Sequence, residues 1–97
     1  MATSKETAIH RLTMDDISLF EKHAESMMRH AQWGSVTRTS DTEADYFEIQ
    51  PRGEDKPMFS VGRCASGHYV FLNHRTGDVR FAGRLSDLLV IMNGMSV

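Results

Sequence analysis

The 97-residue sequence predicts an α+β domain: an antiparallel meander of four or five strands, one helix before it and one after, both helices on one face. Three observations predict it. Apolar residues recur every three or four positions between Ile17 and Ala31. Short apolar-polar runs separated by Gly, Pro and Asp fill residues 35–82. A second helical stripe, Leu85, Leu88, Leu89 and Met92, closes the chain. Short sequential connections favour a meander, and two amphipathic helices on one sheet face bury one core.

Residues 1–12 are polar and aperiodic, so a flexible tail is expected there, with Ile9 and Leu12 able to dock; residues 13–97 form the single domain. Thr13 is a good N-cap, and Asp16 three residues on completes a capping box. Asp15 and Asp16 also suit the positive end of a helix dipole. Ile17, Phe20, Ala24, Met27, Met28 and Ala31 then make the stripe of a helix over about 14–32. Gly34 is read as its left-handed stop.

Residues 35–40 form a first strand anchored by Val36, and 40–44 a polar turn. Residues 45–50 alternate, with Phe47 and Ile49 pointing one way and Tyr46, Glu48 and Gln50 the other. Pro51 and Pro57 bound a loop. Residues 58–63 are the next strand, with Phe59 and Val61 inward. His68–Phe81 reads as a hairpin whose turn holds Thr76-Gly77-Asp78. Tyr69, Val70, Phe71 and Leu72 are all apolar, so alternation leaves open which pair faces the core. Gly83 or Ser86 starts the last helix; Val90 and Ile91 make it apolar nearly all round, so a strand over 88–92 stays open too.

A domain of this size buries one thin core and has little room for a deep substrate cavity. No catalytic, metal or cofactor motif stands out, so a non-enzymatic protein is expected, with no cofactor. The lone Cys64 forms no internal disulfide, residues 1–8 hold no signal peptide, and no apolar run spans a membrane. A cytoplasmic protein without membrane attachment is the expectation. Cys64, His68 and His74 lack a fourth metal ligand. His23 and His30, seven apart on the first helix, are read as flanking its core stripe.

Three surfaces are candidates. Asp41, Glu43, Asp45, Glu48, Glu54 and Asp55 place six carboxylates within fifteen residues, suited to a protein partner or to mimicry of a phosphate backbone by a phage- or plasmid-type inhibitor. Val90, Ile91 and Met95 exceed what one core takes and suit an interface, including one between two copies. Arg63, Arg75, Arg80 and Arg84 form the alternative, a nucleic-acid face. The layout resembles the double-stranded-RNA-binding domain. However, Gly83-Arg84-Leu85-Ser86-Asp87 has one Arg and one Asp where that family has a lysine-rich helix start. Residues 67–71 also lack the glycine–aromatic spacing of the RNA-recognition motif. Residues 1–57 carry seven Lys/Arg against eleven Asp/Glu, and 58–97 four Arg against two Asp. The leading expectation is an interaction protein that binds a protein partner.

Overall fold

The computed structural model describes residues 11–30, 32–40, 45–64 and 66–94. Helix α1 (Met14–His30) is followed by strands β1 (Trp33–Ser40), β2 (Asp45–Pro51), β3 (Phe59–Arg63), β4 (Tyr69–Asn73) and β5 (Val79–Ala82), then helix α2 (Leu85–Gly94). The strands form one antiparallel sheet in chain order, β1 to β5. The α+β class and its element order match the sequence-based expectation. Residues 88–92 are helix, which closes the strand alternative. Of the expected tail, residues 1–10 with Ile9 lie outside the described residues, as do 41–44 and Met95.

The capping box is present: Asp16 N–H donates to Thr13 Oγ1 at 3.0 Å, and Thr13 N–H donates to Asp16 Oδ2 at 3.0 Å. The buried Tyr69 hydroxyl donates to the same Asp16 Oδ2 at 2.7 Å, tying the helix start to β4. Burial, and after it the Asp16 carboxylate, pushes the Tyr69 phenol above its ordinary range.

The far end of α1 departs from expectation. Gly34 is not its left-handed stop but lies in β1, where the register with β2 shifts between Trp33 and Ser35. A Cβ there would stand 3.1 Å from Gln50 O, so the position admits the close approach of two backbones. The helix end is covered instead by Arg52, whose guanidinium donates to Met28 O and to Trp33 O. A cation on terminal carbonyls offsets the negative end of the dipole.

Residues opposite one another in the ladder share a face, so two sets separate cleanly. Phe47, Ile49, Val61, Tyr69 and Phe71 point inward and are buried with Phe20, Ala24 and Leu12, and with Leu85, Leu88, Leu89 and Met92 of α2. Tyr69 and Phe71 are therefore the inward pair of the hairpin. Phe20 joins helix to sheet, stacked on Phe47 at 4.3 Å and tilted against Trp33 at 5.8 Å.

Trp33 also makes a T-shaped contact with the His23 ring, centroids 5.7 Å apart. Burial lowers the His23 pKa, and its Nε2 has no hydrogen-bond partner among the described residues. The folded state therefore favours neutral His23. This contribution is complete above the unfolded value near 6.5 and is lost as pH falls below it toward the depressed folded value. Thermal melts between pH 7.5 and 5 should show a declining Tm whose slope flattens in His23→Phe; an unchanged slope would assign the acid sensitivity elsewhere.

Candidate functional site

The inner sheet face is closed by helices, so the chemistry available to a partner lies on the outer face, the loops and the exposed side of α2. On the outer face two rows cross the strands. The register aligns Thr39, Tyr46, Gly62, Val70 and Phe81 in one row and Thr37, Glu48, Ser60, Leu72 and Val79 in the next. An antiparallel sheet with one face in water normally turns polar residues outward. Strands β1 and β2 follow that rule with Thr37, Thr39, Glu48 and Gln50. Strands β4 and β5 break it: Val70, Leu72, Val79 and Phe81 all point outward, and Val79 and Phe81 are 45 % and 59 % exposed.

The small residues of β3 shape this surface. Ser60 and Gly62 floor a groove between Tyr46 and Glu48 on one side and Val70 and Leu72 on the other, with His74 and Val79 at its margin. Its volume is about 410 Å³. Gly62 is fixed there by space: an added Cβ would stand 2.9 Å from Tyr46 Cβ. Gly62→Ala should push Tyr46 aside and destabilise the β2–β3 pair by about 1–3 kcal/mol. A guanidinium titration reads this directly, and an unchanged midpoint would show that Tyr46 yields freely.

Ser60 Oγ and His74 Nε2 lie 2.6 Å apart in a hydrogen bond. The pair has the separation of a nucleophile and base, yet the rest of such a site is differently placed. A triad needs its carboxylate on the second imidazole nitrogen. Here Glu48 stands across the ladder from Ser60, on the serine side. Ser60 also sits in a central strand, so the N–H groups beside it serve the β2 and β4 ladders and not an oxyanion. The bond instead ties the Ser60 hydroxyl on the groove floor to His74 at its margin.

The residues singled out in the sequence fall in several places. Asp45 is no surface carboxylate. It is 3 % exposed, takes both Arg38 Nε and Nη2 on Oδ1 at 3.0 and 2.8 Å, and accepts the Leu12 N–H on Oδ2 at 3.1 Å. Its position on the inward parity of β2 put it there, and the cation makes that burial tolerable. Asp41 and Glu43 lie outside the described residues. Glu48 is on the outer sheet face, whereas Glu54 and Asp55 lie past the far end of β2, roughly 20 Å from Asp45 at strand rise. Glu54 there pairs with Arg75 at 3.0 Å. The described carboxylates thus do not form one rim.

The arginines are also apart. Arg63 packs over the Tyr69 ring at 5.0 Å and donates to Gly67 O and Arg11 O. Arg75 holds Glu54 beyond the opposite strand end, and Arg84 pairs with Asp87 at 3.3 Å. Arg80 is exposed on β5. Phosphate binding through all four would require the Arg75, Arg84 and Arg63 contacts to be exchanged. On α2, Val90 is 69 % exposed and Ile91 half-buried.

At the β3–β4 turn, Ser66 Oγ bridges Cys64 Sγ at 3.0 Å and His68 Nδ1 at 2.9 Å, while His74 lies at the other end of β4. The Ser66 hydroxyl holds the Cys64 thiol below its ordinary range. Among the described residues no three His, Cys, Asp or Glu side chains gather as a metal site. No described helix is long and apolar enough to cross a membrane. No protein-family model, curated protein or solved structure matches the chain.

Proposed function

We propose that this chain is a non-enzymatic protein-binding module and that its partner covers the outer face of β3, β4 and β5. One observation carries the reading: on β4 and β5 the inside-outside alternation fails, so that Val70, Leu72, Val79 and Phe81 stand on the solvent side. Leaving such side chains in water forgoes roughly 1.5–3 kcal/mol for each that a partner would fully bury. Contiguous apolar surface rimmed by polar groups marks interaction sites on small proteins. The polar rim here is Glu48, His74 and the threonines of β1.

The acidic residues keep a lesser role in this reading, with Glu48 the outward-facing carboxylate among the described residues that line the groove. The test is site-specific photo-cross-linking in a lysate of the source cell. A benzophenone amino acid at position 72 should yield a discrete cross-linked polypeptide, and the same probe at Ser18, exposed on α1, should not. Equal, diffuse labelling from both positions would refute a partner on this face.

A further inference from the structure

We infer that the partner on this face is a second copy of the same chain, a reading that rests on the protein-binding role above. The sheet register makes the surface complementary to itself. In the first row Phe81 lies one strand to one side of Val70, and Gly62 lies one strand to the other. In the second row Val79 and Ser60 flank Leu72 in the same way. Two sheets packed face to face about a twofold axis running along β4 therefore bring β5 of each copy over β3 of the other.

Phe81, 59 % exposed, then lies over Gly62, the low point of the groove floor beside Tyr46. Val79 meets Ser60, the other small residue of the groove floor. Val70 and Leu72 meet their own counterparts on the axis. Such an interface is isologous: the same patch serves both copies. Strand directions within about 30° of each other, as this axis gives, are those of ordinary sheet-on-sheet packing.

The charges fit the same arrangement. Glu48 lies on β2, two strands from the axis, so the two Glu48 carboxylates fall at opposite margins, beyond the partner's β5, and stay in water. Ser60 enters the interface with its hydroxyl already bonded to His74. No charged group of either row is buried. A patch whose centre is apolar, with its charged residues at the margins, resembles the centre of homodimer interfaces more than surfaces selected by charge. Three overlapping strands with the β2 margin span about 300 Å² in plan. Counted on both copies that is about 600 Å², below the roughly 1,200 Å² of stable specific pairs, so the dimer is a weak one that exchanges with monomer on dilution.

The test uses the purified full chain. Its mass by light scattering should rise from 11.0 kDa toward twice that value over roughly 10 µM to 1 mM. Phe81→Glu should remain monomeric across the range with an unchanged circular dichroism spectrum, since Phe81 is exposed. A benzophenone at position 81 should cross-link to the 46–62 segment of a second copy. Cross-linking to β5 instead would mean edge-to-edge pairing and overturn the inference. So would a dimer indifferent to Phe81→Glu, or a chain monomeric throughout. If that monomer still captures a foreign polypeptide from position 72 in lysate, the second copy is excluded while the protein-binding role stands. If it captures nothing, both fall.

Discussion

Asp45→Ala is expected to lower stability by about 2–4 kcal/mol. Removing one partner of a buried ion pair costs roughly 3–5 kcal/mol. The lower range applies because Arg38 keeps a third of its side-chain surface in water, whereas Asp45 has almost none. Three hydrogen bonds end on this carboxylate, so alanine strands the buried Leu12 amide and leaves the part-buried guanidinium without its anion. For a domain of this size the loss corresponds to a drop of roughly 10–25 °C in Tm. Asp45→Asn retains an acceptor for Leu12 but forfeits the charge, and should fall between alanine and wild type. Chemical denaturation ranks the three, with the midpoint moving and the slope constant. An Asp45→Ala midpoint within about 0.5 kcal/mol of wild type would place Asp45 among ordinary surface substitutions.

Asp45 also shows how much of this molecule could be read from the sequence. It shares parity with Phe47 and Ile49, both inward, so alternation already pointed the carboxylate at the core. Counted with five other acidic residues it looked like part of a surface cluster. The missing information was its cation, because Arg38 reaches it only once β1 folds back on β2. Local signals were legible for the same reason that distant ones were not. The Thr13–Asp16 capping box spans three residues, and the hairpin turn rests on Gly77 with φ of 81°. The end of α1, by contrast, is capped by Arg52 from the β2–β3 loop, 24 residues from Met28. No window on the helix contains that partner, and Gly34 stood nearby as a plausible local stop.

The candidate site was half legible. The doubt over Tyr69 and Phe71 against Val70 and Leu72 arose because both parities of β4 are apolar, and that doubt was itself the signal of an apolar outer face. What the sequence could not supply was register. Only the pairing of Val70 with Gly62 on one side and Phe81 on the other shows that an exposed ring and a glycine lie at equal distances from β4. The outward positions of Val90 and Ile91 on α2 remain a separate surface, across the molecule from this groove.

Phe20→Ala should cost about 3–5 kcal/mol, the range for a fully buried aromatic side chain cut to a methyl. Phe20 has no exposed surface, and its ring touches Phe47 of β2 and Trp33 of β1 together. Aromatic pairing adds about 0.5–1.5 kcal/mol to what the buried area contributes. The position is the main bridge from α1 to the sheet, and a 17-residue helix is marginal without such packing. Phe20→Leu, which keeps most of the volume, should lose markedly less. The comparison with Phe81→Glu then separates the two faces of the sheet. Substitution at Phe20 acts on the helix side and should move the unfolding midpoint while Phe20→Leu leaves self-association near wild type. Phe81→Glu acts on solvent-exposed surface and should do the reverse, abolishing association with monomer stability within about 0.5 kcal/mol. Independent sites on opposite faces should also combine additively in the double variant. Coupling beyond about 0.5 kcal/mol would mean that partner binding and helix packing share one cooperative core, and that the outer face is more than a docking surface.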